Sequence, residues 1–428
     1  MTMKHTPESI NHKTQNEKTK VFPKKNEQKN PMDLSAKIYT DSTPAVNEAS
    51  GKWRFLPAIC FLVFIFGLSI WFCVAPKSGY SSSEKRYLQE FPAATYKSLS
   101  SGKFGKDFES YLADHFPVRN FWVGFNSYYN LGLGNNGANG VYNGADGYLI
   151  NKPVSVANNV EKNLSAVVDF QKNLGDGIPV AVMFAPSTGY VTTDKLPWIH
   201  DSYRDDRYFN TAKRVLSENG ITFVDLRESF LKAHADGEQL YYRTDHHWST
   251  AGAYIGYTKL CESLGKKPLD KSVFHVEDYP NFYGTTYSTS GFWLTGPDSV
   301  QVWSNPANKG NIHVRITDGV DTKSNDSFYF YSHLDEDDKY PVFLDGNHAV
   351  TEITNSNVKE GTILLVKDSF SHCLAPFLAE NYHKVVLVDM RYYKLSVSDF
   401  AQKEQADQVV VLYGIDNFAT DTDLVWVG

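Results

Sequence analysis

Cysteine is scarce in this chain: there are four in 428 residues, and no two of them form a Cys-x-x-Cys pair. The scarcity excludes a small scaffold held together by disulfides, and the missing pairs exclude the usual zinc knuckles. Excess positive charge is also absent, because the net charge is −7, so nucleic acid is not an expected partner. The 27 Phe and 26 Tyr residues, in contrast, are enough to build a sizeable core.

One stretch lacks ionisable side chains altogether. Residues 55–75 contain no Asp, Glu, Lys, Arg or His, and at about 1.5 Å per residue they can cross a hydrocarbon layer of about 30 Å. Aromatic and basic residues flank the stretch, as interfacial anchors do: Trp53, Arg54, Trp71 and Lys77. A cleaved signal peptide is the alternative, but the apolar run is too long and begins too late for one. The sequence therefore predicts a transmembrane signal anchor over residues 53–76.

The charge on the two sides of this segment differs. Residues 1–54 carry a net charge of +4 and the remainder carries −11. Lys and Arg are equally frequent within about 20 residues of either end, so local charge gives no orientation. The whole basic tail favours a cytoplasmic N-terminus and an extracellular domain. Residues 1–52 are polar and without periodicity, which predicts a disordered tail.

The region after the anchor divides into two parts. Residues 77–140 read as a stem, with aromatic residues at helical spacing over 104–129 that predict one or two helices. Residues 141–428 alternate apolar runs with helical stretches, which indicates an α/β layered domain with a mostly parallel sheet. Residues 270–355 break the alternation and are predicted to be a β-rich or loop-rich insertion.

The predicted strands are rich in Val, Ile and Leu, as strands buried on both faces must be. They cover residues 178–185, 221–226, 362–367, 384–390 and 408–413. Crossover helices are predicted between them, for example over 206–219 and 370–382.

The first candidate site is an Asp-x-His spacing. On extended backbone, side chains two apart point the same way, so Asp245 and His247 are predicted to lie together while His246 points elsewhere. A carboxylate beside an imidazole fixes its tautomer and stabilises the protonated ring. Thr250 is predicted to cap the helix that follows.

Two alternatives remain for this segment. The histidines can be packed core residues beside Trp248, or Asp245 and both histidines can be metal ligands. Adjacent histidines do not readily bind one ion, so no metal is predicted.

The second and third candidates follow predicted strands. Ser369 comes where a helix is predicted to begin, and free N–H groups there favour a developing oxyanion; the alternative is that Asp368 or Ser369 only caps the helix. Asn417 ends a Gly-x-Asp-Asn turn and can donate to an oxyanion or form an ordinary Asx turn. All three candidates lie at the carboxyl ends of predicted parallel strands, where open α/β sheets place their sites. Together they supply a nucleophile, a base, an orienting acid and an oxyanion donor.

At these residues the chain resembles the DHHW protein family, whose tetrad stands at residues 245–248. The runs SSSEKRYLQEFP, YLADHFPVR, FAPSTGYV and FYGTTYSTSGF also resemble that family. More distantly, the chain is similar to bacterial alginate O-acetyltransferases and to SGNH-type hydrolases. The resemblance implies that Ser369 is the nucleophile, His247 the base and Asp245 the orienting acid. Because the Asp-x-His pair precedes the serine, it also implies a circularly permuted SGNH-like domain.

The activity implied by the resemblance is O-acyl transfer, most simply of acetyl, to a cell-surface polysaccharide through an acyl-enzyme. No cofactor is implied, and a membrane-bound O-acyltransferase partner would supply the acyl group. An acetylesterase with the same triad, a non-catalytic glycan-binding or scaffold protein, and a metal-dependent hydrolase around His246 and His247 are the alternatives.

The chain departs from the SGNH pattern in three places. Lys367 replaces the usual Gly before Asp-Ser, Met390–Tyr393 replaces another expected Gly, and the last block reads Gly-Ile-Asp-Asn. Arg391 or Tyr392 is therefore a candidate for the missing oxyanion contact, and Phe370 for a substrate contact. Cys261 and Cys373 are predicted not to form a disulfide.

Overall fold

The computed structural model describes residues 55–155, 159–175 and 177–428. The predicted disordered tail over 1–52 lies outside the described residues, as do Trp53 and Arg54. The described residues divide into two units, residues 55–66 and residues 67–428.

An apolar helix begins the described chain. Helix α1 spans Leu56–Val74, and none of its 19 residues is buried. Its mean hydropathy reaches 2.4, and it is the one helix within residues 55–155, 159–175 and 177–428 that is long and apolar enough to cross a membrane. By length and composition α1 is therefore a candidate membrane anchor, in the place that the sequence predicted.

Short strands and helices follow α1. They are β1 (Tyr80–Ser81), β2 (Arg86–Tyr87), α2 (Tyr96–Ser100), α3 (Lys103–Asp114) and α4 (Arg119–Gly132). The predicted helical run over 104–129 is thus two helices, because Pro117 disfavours helical backbone at Phe116. Arg86 donates two hydrogen bonds to the Asp114 carboxylate at 3.0 and 2.5 Å, which ties β2 to the end of α3.

The strands of the remaining chain form one large sheet and two small ones. In chain order they are β3 (Gly137–Ala138), β4 (Val141–Asn143), β5 (Leu149–Asn151), β6 (Val180–Ala185), β7 (Thr222–Asp225), β8 (His275–Phe282), β9 (Asp298–Ser304), β10 (Ile312–Asp318), β11 (Asp321–Asn325), β12 (Val350–Asn355), β13 (Thr362–Lys367), β14 (Lys384–Val388) and β15 (Gln408–Gly414). Strands β3–β5 form a small antiparallel sheet, and β8 pairs with β9 as a hairpin.

The helices that cover the sheets have these bounds: α5 (Val160–Leu174), α6 (Thr188–Val191), α7 (Asp205–Glu218), α8 (Arg227–Ala235), α9 (Thr250–Ser263), α10 (Thr285–Ser290), α11 (Ser371–Leu378), α12 (Val397–Lys403) and α13 (Ile415–Thr420). The prediction of crossover helices over 206–219 and 370–382 is met by α7 and by the shorter α11.

The large sheet has eight strands in the order β11-β10-β12-β14-β13-β15-β6-β7. The five strands from β14 to β7 are parallel, as predicted. Strands β11, β10 and β12 pair antiparallel, so the sheet is mixed, with five of its eight strands parallel. These three strands lie within 270–355, where β10 alternates buried and exposed residues. Alternation is typical of strands with one solvated face, and it distinguishes β10 from the parallel strands such as β13, which are buried on both faces.

The parallel strands are buried on both faces. In β13, Ile363 and Leu365 pack in one apolar cluster with side chains from α9 and α11. Leu364 and Val366 pack in the other with side chains from α5, α7 and α12. Each fully buried side chain of this kind contributes about 1.5–3 kcal/mol relative to exposure. The domain therefore has three layers, and the sheet holds the ends of its strands in fixed positions.

Candidate active site

Asp245 and His247 lie in a bent loop that precedes α9. An isolated bridge between Tyr241 and Trp248 closes the loop, and the backbone between them is bent. The predicted extended geometry is therefore wrong: the two residues meet because the His247 N–H donates to Asp245 Oδ1 at 2.9 Å in a turn. The predicted cap is also displaced by one position, since Ser249 caps α9 by accepting from the Gly252 N–H.

The Asp245 carboxylate is buried and accepts four hydrogen bonds. Oδ1 accepts from the His247 ring at Nδ1, 2.5 Å away, as well as from its N–H. Oδ2 accepts from the N–H and the hydroxyl of Thr285 at 2.6 and 3.0 Å. Burial alone would raise the pKa of Asp245, but the imidazoles of His247 and His246 and these hydrogen bonds hold it well below its ordinary value. The carboxylate is thus an ionised, fixed partner of the ring.

Ser369 faces the other nitrogen of the same ring. Its Oγ lies 2.6 Å from His247 Nε2, although the two residues are 122 positions apart in the sequence. Ser369 leaves the end of β13 and is partly exposed, while His247 is 5% exposed. Asp245, His247 and Ser369 therefore form one continuous chain of hydrogen bonds.

The serine does not cap α11. Phe370 is the N-cap residue and no side chain caps the helix. The nearby N–H groups are already engaged: Phe370 donates to Asp368 Oδ1, Ser371 to the Asp368 carbonyl and His372 to the Ser369 carbonyl. The predicted role of the helix start as an oxyanion donor is therefore not available to these three groups.

Trp248 and Tyr340 hold the two segments together. Trp248 Nε1 donates to the Phe370 carbonyl at 3.0 Å. Tyr340 stacks on the His247 ring with centroids 4.0 Å apart and planes 9° apart, and its hydroxyl donates to the Ser369 carbonyl at 3.1 Å. Phe370 packs against both His247 and Trp248, with ring centroids at 5.2 and 5.4 Å. The ring of Phe370 is thus chiefly a packing element beside the histidine.

Asp368 connects the serine loop to the end of β15. Its Oδ2 accepts from the Gly414 N–H at 2.8 Å and from Asn417 Nδ2 at 2.7 Å. Asn417 lines the same cleft as Ser369, but one of its two amide hydrogens is committed to Asp368. Burial raises the pKa of Asp368, and the hydrogen bond from Asn417 opposes that shift.

Arg391 and Tyr392 separate in the structure. Arg391 lines the cleft and donates to Asp389 through Nε and Nη2 at 2.8 and 2.6 Å. Lys367, which is 2% exposed, donates to the same carboxylate at 2.7 Å and contacts His372 at 2.8 Å. Two cations therefore share one buried carboxylate. Tyr392 is 52% exposed and is not among the residues that line the cleft.

His246 lies closer to the site than predicted. Its ring centroid is 3.9 Å from that of His247, and its Nδ1 lies 2.6 Å from Thr285 Oγ1. Burial, together with the charge of His247, lowers the pKa of His246 to about 4. Asp245, His246 and His247 each offer a ligand atom within 4.8 Å of the others, contrary to the expectation that neighbouring histidines diverge. Both ring nitrogens of His247 already take part in the hydrogen-bond chain, however, so a metal there would break it.

The site opens into a cleft of about 420 Å³. Segments far apart in the sequence line it, among them Thr285, Tyr340, Asn347, Arg391, Asn417 and Thr422. Cys373 lies behind the site as a buried free thiol, with its Sγ 3.5 Å from Thr250 Oγ1, and Cys261 is also free and buried. The arrangement has the parts that a nucleophilic serine needs, namely a base, an orienting carboxylate and access for a ligand.

Comparison with known proteins gives partial matches. The DHHW protein family model matches residues 218–388, and a model described as SGNH hydrolase-like domain, acetyltransferase AlgX, matches residues 141–278. The resemblance to these families is thereby confirmed. A protein of Pseudomonas putida named probable alginate O-acetylase AlgJ is 25% identical over 188 residues, covering 42% of this chain and 49% of that protein. Its namesake from Pseudomonas aeruginosa is 28% identical over 173 residues, covering 38% and 43%. The chain thus spans about half the length of these curated relatives.

Solved structures share the fold. A DHHW family protein from Eubacterium siraeum is 21% identical, with a TM-score of 0.57, over 68% of this chain and 95% of that one. PatB1 from Bacillus cereus, solved with a sulfonyl adduct, is 19% identical, with a TM-score of 0.55, over 65% of this chain and 95% of that one. At these identities the likeness shows a common α/β architecture.

Proposed function

We propose that this protein is a membrane-anchored O-acyltransferase that transfers an acyl group, acetyl in the simplest case, to a cell-surface polysaccharide. The observation that carries the proposal is the chain of hydrogen bonds from Asp245 through His247 to Ser369 at the wall of an open cleft. The relatives named as alginate O-acetylases support the reaction class and the polysaccharide acceptor.

In the first half of the reaction, His247 Nε2 removes the Ser369 proton as Oγ attacks the carbonyl carbon of the acyl donor. The ionised Asp245 stabilises the imidazolium that forms and keeps Nε2 directed at the serine. The tetrahedral intermediate collapses as His247 returns the proton to the leaving oxygen, which leaves an acyl-enzyme on Ser369. A sugar hydroxyl then gives its proton to His247 as its oxygen attacks the ester carbonyl carbon. The second tetrahedral intermediate collapses as His247 returns the proton to Ser369 Oγ, which releases the acylated sugar and restores the free serine.

The oxyanion donors come from outside α11. Asn417 Nδ2 keeps one hydrogen beyond its bond to Asp368, and Arg391 brings a guanidinium to the same cleft. A single well-placed donor of this kind is worth about 10²–10³ in kcat. Tyr392 does not line the cleft, so it is not an oxyanion donor in this proposal.

We infer the placement of the protein from α1 together with the positive charge of the N-terminal tail. With α1 as the anchor and the basic tail in the cytoplasm, residues 77–428 lie outside the cell, with residues 77–140 as the stem and residues 141–428 as the catalytic domain. A membrane-bound O-acyltransferase partner then delivers the acyl group to Ser369. The order of the site residues in the chain, with Asp245 and His247 before Ser369, supports a circularly permuted SGNH-like domain.

The test compares Ser369→Ala with Ser371→Ala in the full chain in detergent. Ser371 lies two positions away at the start of α11, is fully buried and does not line the cleft, so it is a matched control. Wild type and Ser371→Ala should release p-nitrophenol from p-nitrophenyl acetate with a burst, and mass spectrometry should find the acetyl adduct on Ser369. Ser369→Ala should show neither.

Other outcomes favour other functions. Turnover that survives Ser369→Ala and disappears with a chelator contradicts the triad and supports a metal site at Asp245, His246 and His247. An acyl-enzyme that yields only acetate, and no acetylated product with any of a panel of oligosaccharides, identifies an esterase. If neither wild type nor a variant forms an acetyl adduct, the result contradicts the proposed enzyme and favours a glycan-binding or scaffold protein.

A further inference from the structure

Helix α3 carries an apolar face that the described residues do not cover. Phe104, Phe108, Tyr111 and Leu112 follow the i, i+4, i+7, i+8 spacing of one helical face. Leu112 is exposed and Phe104, Phe108 and Tyr111 are half-buried, while Asp114 is the one buried residue of α3. A helix of this kind normally buries its apolar face against the core, and this one does not.

Neighbouring side chains enlarge that face. Phe91 is 63% exposed, and its ring centroid lies 5.9 Å from that of Phe108 and 5.3 Å from that of Tyr111. On α2, Tyr96 and Leu99 are 89% and 57% exposed. The seven residues that make up what we call the aromatic face are Phe91, Tyr96, Leu99, Phe104, Phe108, Tyr111 and Leu112. Contiguous exposed apolar surface of this kind marks a site of interaction.

The last turn of α1 touches the aromatic face. The ring of Phe72, two residues before the end of α1, meets the Tyr111 ring edge-on with centroids 6.0 Å apart. Lys77 Nζ donates to the Phe72 carbonyl at 2.5 Å and lies 3.7 Å from the centre of its ring. In a membrane-spanning helix, aromatic and lysine side chains at the end occupy the boundary between hydrocarbon and headgroups. Side chains that touch Phe72 share that depth.

The charges around the aromatic face fit the same boundary. Lys97, Lys103 and Lys106 are exposed on α2 and α3, and Lys103 pairs with Asp107 at 2.5 Å while 68% of its side chain remains exposed. Aromatic and aliphatic residues on one side, with lysines beside them, are the composition of helices that lie in the membrane interface.

We propose that the aromatic face inserts into the headgroup region of the bilayer that holds α1, so that the domain rests on the membrane surface. The inference depends on the proposed membrane anchor but not on the proposed catalysis. The occupant is lipid, because the face is continuous with the end of α1 through Phe72 and Tyr111.

The experiment compares the surroundings of two side chains that are both almost fully exposed in the structure. Tyr96 belongs to the aromatic face, and Trp198 is a distant control that is 98% exposed. Each is replaced in turn (Tyr96→Cys, Trp198→Cys) in the full chain carrying Cys60→Ala and Cys73→Ala, then spin-labelled and placed in lipid nanodiscs. A variant without an added cysteine gives the background from the buried Cys261 and Cys373.

Collision of the label with oxygen, which concentrates in lipid, is compared with collision with a water-soluble nickel chelate. We expect oxygen collision to exceed nickel collision several-fold at position 96, and the reverse at position 198. A label at position 96 that behaves like the one at position 198 overturns the inference. So does a label shielded from both reagents, because a second copy of the chain or another protein would then cover the face. Extraction of the full chain from membranes by alkaline carbonate would instead refute the anchor itself.

Discussion

Gly284 is the position where a single methyl group should disable the site without touching the serine or the histidine. Its backbone, at φ −89° and ψ −168°, is open to any residue, so Gly284→Ala introduces no backbone strain. The added Cβ, however, would lie 2.6 Å from Asp245 Cγ and closer still to Asp245 Cβ, at least about 1 Å inside the 3.5–4.0 Å at which carbon atoms pack. Asp245 must therefore move.

The displacement of Asp245 should slow the reaction by a factor that the lost hydrogen bonds allow us to estimate. Asp245 would lose its bonds from the Thr285 N–H at 2.6 Å and from His247 Nδ1 at 2.5 Å. A displacement of 1 Å costs about 10² in rate, and full loss of an orienting carboxylate costs about 10⁴. We therefore expect kcat for p-nitrophenyl acetate to fall by about 10²–10⁴-fold. Overpacking should destabilise the fold by about 1–3 kcal/mol.

The control is Gly296→Ala, because an added Cβ there meets no atom within 4 Å. Both variants are assayed for ester turnover and for thermal unfolding by circular dichroism, in the full chain in detergent. The reasoning is refuted if Gly284→Ala is folded and as active as Gly296→Ala. A second readout is the downfield proton resonance of the Asp245–His247 hydrogen bond, which should be lost in Gly284→Ala alone.

Three further substitutions test the surroundings of the site through the thermal unfolding of the full chain. Trp248→Phe removes the hydrogen bond to the Phe370 carbonyl and part of the buried indole, and should lower the free energy of unfolding by about 1–3 kcal/mol. An unchanged unfolding temperature would mean that this bond does not join the loop before α9 to the start of α11. Asp389→Asn leaves the buried Lys367 ammonium without its carboxylate and should cost about 3–5 kcal/mol, an idea contradicted if the variant unfolds like wild type. Burial, with the charge of Asp205, raises the pKa of Asp416 to about 7, so the folded chain keeps a proton that the unfolded chain loses near pH 4. The stabilisation from this proton is complete below pH 4 and is lost as the pH rises to about 7. The unfolding temperature of Asp416→Asn should therefore fall less than that of wild type between pH 5 and 8. Parallel curves of unfolding temperature against pH for the two proteins would refute the assignment.

The sequence predicted best those features that depend on local pattern. Two short-range signals were the Asp-x-His spacing and the apolar run of β13 with the serine after it. The parallel strands were predicted from their runs of Val, Ile and Leu, because strands buried on both faces need such residues. Features that depend on contacts between distant segments could not be read. Thr285 and Tyr340 hold Asp245 and His247 from within a polar segment, and no spacing in the sequence links them to the tetrad. The bent loop around Asp245 was likewise missed: the Asp245 carboxylate accepts from the His247 N–H in an Asx turn, which Asp favours but which an extended reading of the segment overlooked.

The position of β15 has a consequence for how the domain folds. Among the described residues β15 is the last strand in sequence, yet it lies inside the sheet between β13 and β6, and Asp368 accepts hydrogen bonds from Gly414 at its end and from Asn417 beyond it. The segment with Asp245 and His247 and the segment with Ser369 therefore both precede, in the sequence, the strand that joins β13 to β6. Until β15 has paired with β13 and β6, Asp368 lacks its partners Gly414 and Asn417, so the loop that carries Ser369 gains this support only when β15 enters the sheet.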